Sequence, residues 1–257
     1  MADEETAELE SLLDDRVPTL GIRVRDLATP RSSPASKGAR LAWTHALRGL
    51  QSAIDHLAAW RALSRHRPRP VMAHYSLLRA AIDGAARCRW LVDPKVDPTT
   101  RAGRGYLAEL RDIEAVRIID DLDPLLKVPA GEPGNLDELE RVLREEADAE
   151  RVTIPPHSEI RPHGLATTYA GYKSLYKGPG THLYAVLSAA THGHVWAGHL
   201  TRGAVLRQEG QPDTKIRFMD ADRATWATRK VIGVLELAIN EAEAHAASGE
   251  AGELTRP

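Results

Sequence analysis

The chain has 257 residues, 42% of them hydrophobic and 27% charged, with a net charge of −2. That length supports a sizeable core without disulfides or metals, and the near-neutral charge gives no global attraction to nucleic acid or to an anionic membrane. The single cysteine, Cys88, excludes an intramolecular disulfide and suits a reducing compartment.

The N-terminal stretch MADEETAELESLLDD is acidic and has no basic region followed by an apolar run. It therefore does not read as a secretory signal, and the expected location is cytoplasmic. Residues 3–14 read as a short acidic helix, and a Pro/Ser/Thr-bearing linker is expected over roughly 17–35. From Ala39 to Arg65, Trp43, Leu47, Leu50, Ile54 and Leu57 recur at spacings of 3 and 4, the mark of one packed helical face. The PRP at 68–70 interrupts the chain.

A second long helix is expected over about 71–92, with Tyr75, Leu78, Ile82 and Ala85 on one face. A third, over 101–121 with Thr99 or Thr100 as cap, carries Leu107, Leu110, Glu114 and Ile118 and reads as partly exposed. After a loop at 127–134 comes a charged helix, 135–150, capped by Asn135. Three prolines make 152–165 irregular. Helices are expected again at about 166–176 and 180–200. Residues 203–218 break the helical period around EGQPD and read as a small β-hairpin. Asp220 or Asp222 then caps a last long helix to about Ala247, with Ala227, Val231, Val234 and Ala238 along its seam.

The expected fold is thus all-α, a multi-helix bundle with long antiparallel helices and a small β-hairpin before the last helix. Its organisation is an acidic helix and linker at 1–35, a bundle domain at 36–247, and a flexible tail at 248–257. No G-x-G-x-x-G or G-x4-G-K-[ST] string occurs.

The stretch YAVLSAATHGHVWAG (184–198) supplies the candidate site. On a helix, Tyr184, Ser188, His192 and Trp196 share a face because each is four residues from the next. Four of the six tyrosines fall between 169 and 184, among them Tyr172 and Tyr176, with Lys173 and Lys177 interleaved. Aromatic bodies with polar tips can line a ligand pocket, or they can form a satisfied polar network that fixes helix register. Arg79, Asp83 and Arg87 form an i, i+4, i+8 ladder that can face this stripe. In that geometry His192 is the acid–base residue, Asp83 orients its imidazole, and Arg79 steadies phosphate charge. Tyr184, Ser188, Tyr172, Tyr176, Lys173 and Trp196 are the ligand-binding set.

No metal and no cofactor is expected. His192 and His199 would lie roughly 10 Å apart on a continuous helix, too far for one ion. His182 and His194 complete the cluster without H-E-x-x-H spacing, and DDLDP (120–124) reads as a solvated helix end. The expected partners are a small molecule or a protein, with a homodimer through a long helix as one form, nucleic acid as the less favoured alternative, and no membrane.

The arrangement of SLLRAAIDGAARCRWLVDP (76–94) followed by YAVLSAATHG (184–193) resembles an uncharacterised actinobacterial all-helical family, a domain of unknown function. An excess of 27 Arg over 7 Lys fits such a high-GC source. These proteins are loosely similar to the HEPN class, whose RNase members carry an Arg-x4–6-His motif. Arg40–His45, Arg61–His66, Arg69–His74, Arg67–His74 and Arg151–His157 match that pattern, but neither of the two stretches contains it. The resemblance therefore assigns no catalytic residue. The leading expectation is a ligand- or partner-binding module with a polar Tyr/Ser/His pocket. The alternative is a HEPN-like RNase or other hydrolase using His192.

Overall fold

The structure is a computed structural model, and it describes residues 2–28, 36–66, 73–122, 136–160, 165, 187–188, 191, 201–206 and 214–248. Among the described residues six helices make an all-α bundle: α1 (Ala2–Ala28), α2 (Lys37–Ser64), α3 (Ala73–Leu91), α4 (Pro98–Leu122), α5 (Leu136–Ala149) and α6 (Ala221–Ala247). No helix among the described residues is long and apolar enough to cross a membrane.

The helix α2 is the centre of the bundle and packs against α1, α3, α4 and α6. Its buried face is Leu50, Ala53, Ile54, Leu57 and Trp60, with Trp43 and Leu47 partly buried beside it. The expected faces of α3 (Tyr75, Leu78, Ile82, Ala85) and α6 (Ala227, Val231, Val234, Ala238) are buried in the same cluster. Asp220 is the cap of α6, its side chain accepting from Arg223 N. Ser36 caps α2, accepting from Ala39 N at 3.1 Å. Glu150, just past α5, accepts from the Lys37 and Gly38 amides at 2.7 and 3.2 Å. The orphan donors of the central helix are thereby met from two elements.

The linker expected from residue 17 is instead helix. α1 continues to Ala28 with Pro18 inside it. Proline removes one backbone donor and costs about 3 kcal/mol in a helix interior. Against that, Val17, Leu20, Val24 and Leu27 are all buried in the main core, and burying such side chains is worth about 1.5–3 kcal/mol each. Packing therefore overrides the breaker. Ion pairs Glu8–Arg229, Arg16–Glu236 and Arg23–Glu243 climb α1 and α6 together, so these two helices run parallel.

One further expectation is corrected at α4. Its cap is Asp97, not Thr99 or Thr100: Asp97 Oδ1 accepts from Thr100 N at 2.9 Å, and Pro98 takes the first helical position, where its missing donor costs nothing. The helix is partly exposed as expected, at Arg111 and Ala115, whereas residues 101–108 are buried throughout. The reason is small residues at close crossings. A Cβ added at Gly105 would lie 2.3 Å from the Gly38 carbonyl oxygen and 2.5 Å from Ala42 N.

Between α5 and α6, residues 152–156 have no regular structure and His157–Ile160 form a 3-10 turn. Two strands, β1 (Thr201–Leu206) and β2 (Thr214–Met219), pair antiparallel with Thr201 opposite Met219 and Leu206 opposite Thr214. The expected cap Asn135, the loop at 127–134 and the EGQPD turn lie outside the described residues.

Candidate functional site

The crossing of α2 with α3 is set by two glycines. Gly49 and Gly84 meet so closely that neither has room for a Cβ. A cavity of about 590 Å³, lined in part by both glycines, lies beside this contact. Among the described residues, α2 contributes His45, Arg48, Gly49 and Ser52, α3 contributes Ala80, Asp83, Gly84 and Arg87, and α4 contributes Arg111 and Asp112. The spacings on α2 and α3 are the 3 and 4 of a single helical face. Ile160 and Leu165 supply apolar wall from the segment after α5.

His45 anchors the polar side. It is 1% exposed, and its Nε2 lies 2.8 Å from Glu109 Oε2 on α4. Its Nδ1 is 3.7 Å from Asp112 Oδ2. Burial holds the His45 imidazole below its ordinary value, while the Glu109 hydrogen bond and the Asp112 charge pull it back up in part and Arg87 pushes it further down. A neutral imidazole donating Nε2–H to Glu109 fits this balance. Asp112 is the hub of the other groups. Arg87 Nη2 donates to its Oδ1 at 3.3 Å, and Arg48 Nη1 stands 3.9 Å from its Oδ2.

Glu109 therefore holds Nε2, while Nδ1 stands beyond hydrogen-bond distance of Asp112. The cavity offers cationic groups at the rim, a hydroxyl at Ser52, carboxylates at Asp83 and Asp112, and an apolar wall, the mixture expected of a small-molecule pocket.

Of the residues singled out in the sequence, Asp83 and Arg87 line this cavity. Arg79 is half-buried on the same helix but is not among the lining residues. Ser188 is helical and half-buried. Its neighbour Leu187 is in the main core, and Thr191 Oγ1 lies 3.4 Å from Ser76 Oγ at the start of α3. Tyr172, Lys173, Tyr176, Tyr184, His192 and Trp196 lie outside the described residues, as do His182, His194 and His199. Among the described residues no group of three His, Cys, Asp or Glu is placed to hold a metal ion.

Sequence reasoning missed His45, Arg48, Ser52, Glu109, Arg111 and Asp112. A signal was there: His45, Arg48 and Ser52 repeat at i, i+3, i+7 on α2 beside the apolar stripe. The Arg40–His45 string touches the site only through its histidine, because Arg40 is exposed and does not line the cavity. No protein-family model matches the chain, and neither does any curated protein or solved structure.

Proposed function

We propose that the chain is a ligand-binding helical module whose pocket is the α2–α3–α4 cavity. The observation that carries this reading is the cavity itself, about 590 Å³ and lined by polar side chains from three helices over apolar residues. Pockets for small molecules run from about 300 to 1,000 Å³ with a few convergent polar groups. The same reading takes β1 and β2 as one hairpin turned at EGQPD.

The test is a fragment screen by ligand-observed NMR, run on the wild-type chain and on Ala80→Trp. Ala80 lines the cavity from α3, and an indole there fills it. Fragments that bind the wild type and are lost from a folded Ala80→Trp support the reading. Fragments that bind both alike place the site elsewhere and overturn it.

A further inference from the structure

Three arginines, one from each wall helix, line this one cavity: Arg48, Arg87 and Arg111. Their partners are poorly fitted by the standard of the same molecule. Two arginines that join helices close on their carboxylates with two short bonds each. Arg89 reaches Glu241 at 2.7 and 2.8 Å, and Arg23 reaches Glu243 at 2.9 and 2.6 Å. At the cavity, Arg48 and Arg87 share one carboxylate, Asp112, at 3.9 and 3.3 Å. Charge-assisted bonds prefer about 2.7–2.9 Å, so neither guanidinium is saturated. Arg87 Nε is moreover buried and meets no acceptor among the described residues, which is an uncommon state for a buried donor. Arg111 pairs with Glu114 one turn along its own helix in an exposed contact, and exposed pairs of this kind hold weakly.

We infer that the ligand of this cavity carries an oxyanion, a phosphate or a carboxylate, received by Arg48, Arg87 and Arg111. This rests on the cavity being the binding site. An oxyanion supplies several acceptor lone pairs at once, which a planar guanidinium takes two at a time. The volume exceeds what a bare anion needs, so the anion is one end of an organic molecule. Its uncharged part lies against Ala80, Ile160 and Leu165, and Ser52 offers it a hydroxyl. The rim arginines are partly exposed, with Arg48 at 64% and Arg111 at 42%, so binding weakens as salt rises.

The experiment is a titration of the full chain with pyrophosphate, with citrate and with uncharged glucose at constant ionic strength. It is followed by thermal shift and by the NMR signals of the arginine side chains. The expected result is a saturable rise in melting temperature with one anion and none with glucose. The choice between pyrophosphate and citrate distinguishes phosphate from carboxylate. The double variant Arg48→Gln/Arg111→Gln, which changes two exposed residues and keeps the fold, weakens that binding by about tenfold or more. Ala80→Trp abolishes it. Glucose binding as tightly as either anion, an affinity unchanged in the double variant, or no response to either anion at millimolar concentration overturns the inference. None of these results touches the pocket reading, which stands or falls on the fragment screen. Anion binding retained in Ala80→Trp overturns the inference by placing the anion outside the cavity.

Discussion

Gly49 and Gly84 touch backbone to backbone where α2 crosses α3: a Cβ added at Gly84 would lie 2.3 Å from the Gly49 carbonyl oxygen, and one at Gly49 would lie 2.7 Å from the Gly84 oxygen. Neither obstacle is the yielding tip of a side chain, so the helices themselves must part. Gly84→Ala is expected to cost about 2 kcal/mol or more, in the range of overpacked cores, although alanine is the better helix former. Gly233 is the control, because it sits inside α6 with nothing within 4 Å of an added Cβ. Gly233→Ala should stabilise by about 0.5–1 kcal/mol. Urea unfolding of both variants checks the pair, and a Gly84→Ala protein as stable as the wild type would show the crossing to be slack.

His45 makes stability depend on pH in a defined direction. Its imidazole is held below the ordinary value, chiefly by burial, and the unfolded chain titrates it near pH 6.5. The unfolded state thus binds more protons as the solution is acidified. The stabilisation is fully present above about pH 6.5 and is lost as pH falls through the folded value. Asp14, Asp97, Glu138 and Glu140 are also held low, by hydrogen bonds from Arg61, Thr100, Arg141 and Arg144 respectively. Their loss belongs to a more acidic window, below about pH 4.5. His45→Gln removes the titration and keeps an amide donor toward Glu109. Unfolding free energies from pH 5 to 8 should show the wild type falling more steeply than the variant toward acid. Parallel curves would show that His45 is not perturbed.

Trp60 and Thr228 share a buried bond. Both side chains are 0% exposed, Trp60 Nε1 donates to Thr228 Oγ1 at 3.0 Å, and the hydroxyl donates onward to the Ala224 carbonyl at 2.7 Å. Thr228→Val keeps the shape and removes the acceptor, leaving an indole N–H in the core. The expected cost is about 1–3 kcal/mol. In a Trp60→Phe background the donor is gone, and the same substitution should cost much less. A double-mutant cycle reads the difference directly, and a coupling energy near zero would remove the bond from the account.

The long helices were legible because their apolar residues keep a 3.6 period that depends on no partner. α2, α3 and α6 bury the faces their spacings mark, and Asp220 stands where a cap belongs. α1 was misread at Pro18, although Val17, Leu20, Val24 and Leu27 continue the period through it, because a local breaker weighs more in a sequence than a distant wall does. The end of α5 was read to within one residue, although its closing turn was not: Arg151 adopts φ 57°, with Val152 N bonded to Ala147 O at 2.8 Å, a turn that glycine usually announces. The cavity needs pairings that no local period encodes. Gly49 must meet Gly84, and His45 must meet Glu109. The ladder of Arg79, Asp83 and Arg87 could be read from α3 alone, but the carboxylate that Arg87 holds, Asp112, is on α4.

The ion pairs of this chain divide by exposure, and the division can be measured. Arg89 joins α3 to α6 with two bonds to Glu241, and the side chains are 15% and 23% exposed. Arg141 contacts Glu138 and Glu145 along α5 with all three side chains more than half exposed. Arg89→Met strands a half-buried carboxylate and should cost about 1.5–3 kcal/mol, the scale of a hydrogen bond to a charged group. Arg141→Met should leave stability close to that of the wild type. Salt separates the two further, since 1 M NaCl, with a screening length of about 3 Å, should erase any effect at Arg141 and leave most of that at Arg89. Exchanging the partners, Arg89→Glu with Glu241→Arg, should recover part of the loss, because the attraction acts between two facing helices and survives reversal. If both single variants cost the same in high salt, the α3–α6 pair does no more than a surface pair, and the apolar seam of α6 alone holds those helices together.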